Sequence, residues 1–402
     1  MGKHILVISQ YFYPEEFRIN DICEEWVKRG YEVTVVTGIP NYPQGRFFDG
    51  YGWGKKRKEV YKGIRIVRLP IIPRGERAAT LILNYFSFVA SGFFWKVFTG
   101  IRADKVFVFE VSPMTQALPG VWYARKRKIP CYIYVQDLWP ENVEFVAGIH
   151  NRRVIGAIDK MVNYIYRNCT GIFATSPSFV RKIEERGSAW NGKNSKVVYW
   201  PQYAEEFYRP MGKKVLEKDA CFQVVFTGNI GYAQGLDILP ATAEILKKKG
   251  IGCRFMIVGD GRYREELERE IASRNVADMF LMPGRKPPRE IPEILAGSDV
   301  AYISFANNLL FENTIPAKLQ SYMACGIPIL ASATGETKRI IDEARCGIAC
   351  KMGDCVALAE GIEHFMEMPW EERSRMGQNA LGYSERHFNK RKLLDEMERY
   401  VG

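Results

Sequence analysis

Residues 311–326 read Phe-Glu-Asn-Thr-Ile-Pro-Ala-Lys-Leu-Gln-Ser-Tyr-Met-Ala-Cys-Gly, and this stretch decides the fold around it. Thr is a common helix cap and Pro suits a first helical turn, so Thr314 and Pro316 predict the start of a helix. Patterns rich in Val, Ile and Phe stand on either side, at 300–305 and 328–331. A strand, a helix and a second strand in this order predict a parallel sheet with a crossover helix.

The same alternation runs through all 402 residues. Between two series of strand patterns, a segment with two prolines, several charges and no sustained periodicity predicts a linker. We therefore predict an α/β fold of two Rossmann-like, doubly wound domains at 1–203 and 221–380, with a linker at 204–220 and a closing helix at 381–402. The strand patterns lie at 5–9, 32–37, 64–69, 106–110, 132–136, 171–175, 196–200, 223–227, 254–258, 279–282, 300–305, 328–331 and 347–350.

Charge is unevenly divided between the two halves. Residues 1–200 hold 30 Lys and Arg against 17 Asp and Glu, whereas residues 201–402 hold 27 against 29. This difference indicates that the halves face different partners. The chain is too long for a small stapled scaffold, and its nine cysteines form no C-x-x-C pair, which favours a reducing compartment. The first residues read as a buried strand without a signal peptide, so we expect a cytoplasmic protein.

Glycines follow two predicted strands of the second half, where open α/β sheets bind ligands. They are Gly228 and Gly231 after one strand, and Gly259 and Gly261 after the next. Neither group completes the dinucleotide motif G-x-G-x-x-G, and residues 50–56 do not form a P-loop, so nucleotide hydrolysis loses its main support. A helix start with a lysine on its first turn, Lys318, is typical of a diphosphate site. Taken alone, that segment is better explained as a capped helix with a surface lysine.

Residues 78–95 contain no charge and are long enough to approach a membrane span. Four polar residues nevertheless recur at helical spacing, which a spanning helix does not need. One interpretation is a core helix of the first domain. The other is a helix that dips an apolar face into an anionic membrane interface. That face would consist of Leu81, Tyr85, Phe88 and Trp95.

Several strings, in order along nearly the whole chain, resemble glycosyltransferase family 4. In the second half they are Ile257-Val-Gly-Asp-Gly261, Pro316-Ala-Lys318 and Tyr322-Met-Ala-Cys-Gly-Ile-Pro328. In the first half, Tyr11-Phe-Tyr-Pro-Glu15, Gly38-Ile-Pro-Asn-Tyr-Pro-Gln-Gly45 and Gln136-Asp-Leu-Trp-Pro-Glu141 are similar to the fucosamine-transferase-like and colanic-acid-type branch. The resemblance implies the GT-B fold, with the active site in a cleft between two Rossmann-like domains.

The resemblance also implies retaining transfer of a sugar from a nucleotide-sugar donor, expected to be a UDP-sugar, without a metal or other cofactor. The acceptor would be a polyprenyl-diphosphate-linked saccharide at an anionic membrane surface, reached from the cytoplasmic face, with no nucleic acid involved. The implied catalytic residues are Asp137, Lys318 and Glu312. The implied donor-binding residues are Gly228, Asn229, Gly231, Gly259, Gly261, Arg285, Asn313, Thr314, Ile315 and Ser321. The implied acceptor-binding residues are Glu16, Arg18, Asn20, Asn41 and Tyr42.

This chain departs from the family pattern at several of these positions. Asn229 and Gln234 stand where many members carry an Arg and a Lys, so neutralisation of the donor phosphates would depend more on Lys318. Ser321 occupies the position of a second glutamate, and Glu312 lies one residue from the position of the first.

Other interpretations stay open from the sequence. Asp137 could cap the helix after Pro140 instead of serving a ligand. A nucleotide-sugar epimerase would share the fold. A non-enzymatic membrane-binding or nucleic-acid-binding protein would use the basic clusters at 55–58 and 125–128, although solvated loop ends explain such clusters as well.

Overall fold

The structure is a computed structural model that describes residues 3–75, 77–146, 148–187, 196–212 and 221–402. Part of the predicted linker, 213–220, lies outside the described residues. The chain forms two compact units. The first unit is Met1–Trp200 together with Leu394–Gly402, and the second unit is Pro201–Leu393. The predicted domain boundaries, for comparison, lie at 203 and 380.

The first unit is built on an eight-stranded sheet. Its strands are β1 (His4–Ile8), β2 (Glu32–Gly38), β3 (Lys58–Tyr61), β4 (Ile64–Leu69), β5 (Lys105–Glu110), β6 (Cys131–Val135), β7 (Gly171–Ala174) and β8 (Lys196–Tyr199). They lie in the order β3-β4-β2-β1-β5-β6-β7-β8, and all neighbours are parallel except β3 with β4. Each strand predicted in the first half is present. The sequence missed β3, because this edge strand is charged, short and at most half-buried.

The second unit is built on six parallel strands. They are β9 (Phe222–Asn229), β10 (Cys253–Asp260), β11 (Phe280–Gly284), β12 (Val300–Ser304), β13 (Ile329–Ser332) and β14 (Gly347–Cys350). Their order is β11-β10-β9-β12-β13-β14. Strand order reverses between β1 and β5 in the first sheet and between β9 and β12 in the second, as in the doubly wound folds that were predicted.

Helices connect the strands and cover both sheets. In the first unit they are α1 (Arg18–Lys28), α2 (Ala78–Phe98), α3 (Ala117–Arg127), α4 (Glu141–Val146), α5 (Arg152–Arg167) and α6 (Pro177–Gly187). They continue as α7 (Ile238–Lys248), α8 (Arg264–Ser273), α9 (Ile291–Ala296), α10 (Ala317–Ala324), α11 (Gly335–Ala344), α12 (Cys355–Glu367), α13 (Trp370–His387) and α14 (Lys390–Val401). Each unit buries its own apolar core between sheet and helices.

The single closing helix predicted at 381–402 is instead two helices. The first ends at Phe388, whose φ of −121° leaves the helical range, and Asn389 then accepts the N–H of Lys392 (3.0 Å) at the start of α14. The end of α14 belongs to the first unit. There Arg29 forms ion pairs with Asp395 (2.8 Å) and Glu398 (3.1 Å).

Helix α2 is long and apolar enough to cross a membrane, with a mean hydropathy of 1.4 over Ala79–Phe98 and only 17% of its most apolar window buried. Its polar residues face the protein. Asn84 is fully buried, and its Nδ2 donates to the carbonyl of Ile72 (2.6 Å). Ser87 Oγ accepts the N–H of Ile72 (2.9 Å), and Ser91 donates to the carbonyl of Pro70. The polar stripe therefore attaches the helix to the segment after β4.

The membrane face predicted from the sequence is corrected by this packing. Phe88 is fully buried in the first core, and Trp95 packs on that core with its ring stacked on Tyr123 (5.4 Å between centroids). Leu81 and Tyr85 are half-buried. The exposed apolar side chains lie on another face of the helix. They are Ile82, Leu83, Phe86, Phe93, Phe94, Val97 and Phe98.

Gly92 allows α2 to pack closely on α3. A Cβ atom at this position would lie 2.3 Å from Cγ and 2.7 Å from Cβ of Pro119. We expect Gly92→Ala to lower the free energy of unfolding by about 1–3 kcal/mol, because the two helices must move apart. Urea unfolding followed by tryptophan fluorescence measures the change.

Gly156→Ala is the matched control, because Gly156 also lies inside a helix of the first unit, α5, but is exposed with no atom within 4 Å of an added Cβ. The alanine should raise stability by about 0.5–1 kcal/mol through its better helix propensity. Equal stability changes in the two variants would show that close packing at Gly92 is not what holds α2 in place.

Candidate active site

The carboxyl end of β9 lies where the strand order of the second sheet reverses. Gly228 has a φ of +136° and pairs with Gly259 on β10, where an added Cβ would lie 1.8 Å from the Gly228 carbonyl oxygen. Only glycine fits at Gly259, since no side chain tolerates that approach. On the other side, a Cβ on Gly228 would lie 3.7 Å from Nζ of Lys318. The sheet thus presents bare backbone directly beside a lysine.

Helix α10 positions this lysine and begins later than the sequence predicted. Its N-cap is Pro316, with ψ of 141° and no side-chain cap, so the helix starts at Ala317. The prediction that Thr314 caps the helix and Pro316 lies in its first turn is wrong, because Pro316 is still extended. Lys318 is accordingly the second helical residue.

Lys318 has polar contacts but no anionic partner. Its Nζ donates to Oε1 of Gln234 (2.5 Å) and lies 3.8 Å from the centroid of the Phe226 ring. Among the described residues no carboxylate forms an ion pair with it. Burial lowers the pKa of Lys318 to about 7. A bound anion would favour the charged form, which makes this a position suited to a phosphate.

The predicted donor residues of the second unit lie at or after the ends of β9, β10 and β11, or they lie before and within α10. Glu312 and Asn313 belong to a 3-10 turn at Leu309–Asn313, where Oε1 of Glu312 accepts a hydrogen bond from Thr334 (3.1 Å). The carbonyl of Thr314 accepts a hydrogen bond from Thr337 (3.0 Å). These contacts bring the turn against the start of α11.

Other predicted donor residues differ in exposure. Ile315 is buried, and Ser321 is 7% exposed with its hydroxyl donating to the carbonyl of Ala317 (3.3 Å). Asn229 is exposed, and its side chain lies beside Gly231 and Gly261. Arg285 is exposed after β11, the edge strand, which β10 separates from β9.

In the first unit, Asp137 follows β6 and is held by a residue that follows β5. Its Oδ2 accepts hydrogen bonds from the N–H (2.9 Å) and the hydroxyl (2.7 Å) of Ser112. Ser112 Oγ also accepts from Asn142 Nδ2 (2.9 Å) and Trp139 Nε1 (3.2 Å). Both hydrogen bonds recorded for the Asp137 side chain thus go to Ser112 and not to N–H groups of α4, and its Oδ1 has no partner among the described residues.

A buried carboxylate, Glu110, accompanies the half-buried Asp137. Glu110 ends β5, is fully buried, and accepts the N–H of Gln136. Burial, followed by the charge of Asp137, raises the pKa of Glu110 well above its usual range. Burial also raises the pKa of Asp137, opposed by the hydrogen bonds from Ser112. Both effects on Glu110 favour its neutral form. Glu110 was not predicted as a site residue, although it ends a buried strand just as Asp137 follows one.

The predicted acceptor residues differ in exposure: four are exposed or half-buried, and one is fully buried. Glu16 is exposed, Tyr42 is 37% exposed, and Arg18 is half-buried at the start of α1. Asn20 donates to the carbonyl of Glu15 (2.7 Å). Asn41 is fully buried, and its side chain accepts the N–H of Arg74 (2.9 Å) and donates to the carbonyl of Ile39 (2.9 Å).

Glu15 is the buried centre of these loops. Its Oε1 accepts the N–H groups of Asn41 (2.8 Å) and Tyr42 (2.7 Å), and its Oε2 accepts that of Phe12 (3.3 Å). Burial raises the pKa of Glu15 to about 7, against the lowering effect of these hydrogen bonds. In the sequence, Glu15 is notable only as the last residue of the motif Tyr11-Phe-Tyr-Pro-Glu15. No sequence pattern indicates that its side chain joins the chain after β1 to the chain after β2.

The basic cluster at 125–128 has structural partners. Lys126 Nζ donates to the carbonyls of Lys96 (3.2 Å) and Val97 (3.0 Å), and Arg127 donates to that of Thr99 (3.1 Å). These charges satisfy the carboxyl-terminal carbonyl groups of α2. In the described part of the chain, no cluster of three or more His, Cys, Asp or Glu side chains is arranged to hold a metal ion.

Two family models match consecutive parts of the chain. The glycosyl transferase 4-like domain matches residues 16–201, and the glycosyl transferases group 1 model matches residues 211–382. The chain belongs to the glycosyltransferases that combine a 4-like domain with a group 1 domain. The resemblance seen in the sequence motifs is thereby confirmed.

Individual proteins agree with the family match. The chain is 24% identical to WcaI of Escherichia coli K12, a protein assigned to colanic acid biosynthesis as a glycosyl transferase, over 97% of both chains. The structure of sucrose-phosphate synthase from Thermosynechococcus elongatus superposes with a TM-score of 0.78 at 16% identity, covering 100% of this chain and 98% of the other. HepE from Anabaena, in complex with UDP and glucose, gives 0.71 at 14% identity, covering 100% and 99%. The glycosyltransferase has the predicted GT-B fold, and these matches do not favour an epimerase or a non-enzymatic protein.

If Lys318 binds the diphosphate of the nucleotide, its pKa of about 7 makes nucleotide binding depend on pH. Below about pH 7 the lysine is already charged, so the affinity for UDP should not depend on this group. Above pH 7 binding must take up a proton, and the affinity should fall by up to roughly tenfold per pH unit until the pKa of the complex is reached. Isothermal titration calorimetry with UDP between pH 6 and 9 measures this loss.

Lys318→Arg provides the control, because a guanidinium stays charged throughout this range. Its affinity for UDP should be independent of pH above 7, and Lys318→Ala should bind UDP weakly at every pH. If wild type and Lys318→Arg lose affinity in parallel, the lysine does not meet the diphosphate.

Proposed function

We propose that this glycosyltransferase moves a hexosyl group from a UDP-sugar to a polyprenyl-diphosphate-linked saccharide, with retention of configuration and without a metal ion. The pathway would be the biosynthesis of a bacterial surface polysaccharide, and the enzyme would work on the cytoplasmic face of the membrane. The second unit would bind the donor, and the first unit would bind the acceptor. The observation that carries the proposal is Lys318, a half-buried lysine without a carboxylate partner among the described residues, beside the bare backbone of Gly228.

Donor binding would use the features around Lys318. The lysine and the first N–H groups of α10 would meet the diphosphate, where negative charge grows as the sugar leaves. The backbone near Gly228 and Gly259 leaves room for the nucleotide to approach closely. Glu312, on the turn before α10, is proposed to bind the donor sugar.

Acceptor activation would use Asp137. Its Oδ2 is held by Ser112, so Oδ1 is available to accept a hydrogen bond from an acceptor hydroxyl. Glu110 lies within electrostatic reach, and its burial raises its pKa, which opposes a second negative charge beside Asp137. Burial makes Asp137 a stronger base than a solvated carboxylate, which suits proton transfer.

Transfer itself is the first test. The purified protein is incubated with UDP-, GDP- and dTDP-sugars and a polyprenyl-diphosphate saccharide, and the product anomer is determined by NMR. We expect transfer from a UDP-sugar with retention. No transfer with any donor, together with no shift in melting temperature from any of the nucleotides, would end the proposal.

In the same assay, Asp137→Asn should lower kcat by roughly a hundredfold or more while leaving UDP affinity unchanged. The amide keeps the shape that Ser112 holds but cannot accept a proton. Asp49→Asn, at an exposed carboxylate elsewhere in the first unit, should retain wild-type kcat. Wild-type turnover of Asp137→Asn would remove Asp137 from the chemistry.

A membrane surface is the proposed partner of the exposed face of α2. That face carries large apolar side chains, with Phe86 63% and Phe94 62% exposed. Lys96, on the same helix, lies with its Nζ 4.4 Å from the centroid of the Phe93 ring, and the exposed Arg125 and Lys126 lie on α3. Apolar side chains beside cations fit the interface of an anionic bilayer.

We expect the double variant Phe86→Ser and Phe94→Ser to sediment less with phosphatidylglycerol vesicles, while UDP affinity and melting temperature stay unchanged. Trp370→Ser, at a 54% exposed residue of the second unit, should sediment like wild type. If the double variant sediments normally, the face does not bind lipid. If it instead abolishes a dimer seen by analytical ultracentrifugation, the face contacts a second copy and the membrane assignment is wrong.

A further inference from the structure

Arg74 lies among tyrosines in the segment between β4 and α2. Its Nη1 donates to the hydroxyl of Tyr11 (3.3 Å), and its guanidinium carbon lies 5.2 Å from the centroid of the Tyr42 ring. Tyr85, on the inner side of α2, is close enough for the charge of Arg74 to affect its pKa. We call these four residues the Arg74 cluster.

Two loops hold Arg74 in place. Its backbone N–H donates to Oδ1 of the buried Asn41 (2.9 Å), and Asn41 Nδ2 donates to the carbonyl of Ile39 (2.9 Å). The next residue, Gly75, donates its N–H to the carbonyl of Gly45 (2.8 Å). The loop after β2 and the segment after β4 are thus joined on both sides of the arginine, so the position of its side chain is built into the fold.

The Arg74 cluster has a positive charge and no matching negative one. A guanidinium is charged at any physiological pH. Burial raises the pKa of Tyr11, so its phenol stays neutral near pH 7. Among the described residues, no carboxylate forms an ion pair with Arg74. Arg68, on β4, shows the usual solution, because its buried guanidinium pairs with Glu59. Arg74 is half-buried, and a partly desolvated cation without a counter-charge is stabilised when a ligand supplies that charge.

The location of the cluster joins two features already described. Tyr11 and Tyr42 follow β1 and β2 at the carboxyl edge of the first sheet. The charge of Asp137 also acts on the pKa of Tyr85, so the proposed base and Arg74 lie near the same phenol. The same stretch of α2 that carries Tyr85 also carries the exposed Ile82, Leu83 and Phe86 on its outer face.

We propose that the Arg74 cluster binds the diphosphate of the lipid-linked acceptor, with the hydrocarbon chain leaving along the exposed face of α2. This inference rests on the proposed function, because it names the part of the acceptor that this site takes. A guanidinium donates two parallel hydrogen bonds to phosphate oxygens, and tyrosine hydroxyls can donate further ones. The sugar of the acceptor would then lie on the side of Asp137.

Binding of farnesyl diphosphate tests the site directly. Calorimetry is carried out with saturating UDP, so that the donor site is occupied. We expect Arg74→Gln to weaken binding of farnesyl diphosphate by about tenfold to a hundredfold, the usual range for a lost charged hydrogen-bond pair. Arg74→Lys keeps the positive charge but cannot donate two parallel hydrogen bonds, so its loss of affinity should be smaller than that of Arg74→Gln. Arg46→Gln, which removes an exposed arginine from the loop after β2, should change binding little.

Each other outcome has a definite meaning. If Arg74→Gln and Arg46→Gln lose equal affinity for farnesyl diphosphate, the diphosphate is attracted by the overall positive charge and not by a specific site. That result would overturn the inference. If inorganic pyrophosphate binds as tightly as farnesyl diphosphate, the lipid chain is not recognised. If farnesol binds as tightly, the diphosphate is not recognised. Either result would overturn the assignment to a lipid diphosphate. Failure of UDP to bind wild type would count against the proposed function itself. Normal UDP binding with farnesyl diphosphate affinity unaffected by Arg74→Gln would overturn this inference alone.

Discussion

A charge removed from water must be compensated, and this requirement explains much of the glycosyltransferase structure. Arg68 meets it within the protein, because it is fully buried against Glu59 and the carbonyl of Tyr13. Lys318 and Arg74 do not meet it with any carboxylate of the described chain. One lies in the second unit and the other in the first. Each unit therefore has a half-buried cation without a carboxylate partner among the described residues, and we propose that each cation binds a diphosphate.

Buried polar groups hold the loops around Arg74. Glu15 gathers three backbone N–H groups and fixes the chain after β1 against the chain after β2. Asn41 continues this arrangement towards Arg74. In the second unit, Gly228 and Gly259 have no side chain, which allows the backbones of β9 and β10 to approach each other closely. Rigid loops of this kind place functional groups without a cost in ordering at the moment of binding.

The sequence predicted the sheets well, because buried parallel strands are continuous apolar runs. It predicted the helix after Pro316 but not its cap, since a proline can occupy the last extended position as easily as the first helical one. Periodicity revealed two stripes on α2 but could not decide which faced inward. The polar stripe turned inward because Ile72 and Pro70, in an irregular segment, offered backbone partners to Asn84, Ser87 and Ser91. Glu110, Ser112 and Arg74 acquire meaning only from their neighbours in space.

The first unit contains both the beginning and the last part of the chain. Leu394–Gly402 belong to it, with Arg29 paired to Asp395 and the ring of Tyr400 packed edge-on against Phe173 (5.5 Å between centroids). During synthesis, the second unit therefore leaves the ribosome before Leu394–Gly402 can pack on the first unit. The unit that we propose faces the lipid is completed only after the unit that we propose binds the nucleotide has been made.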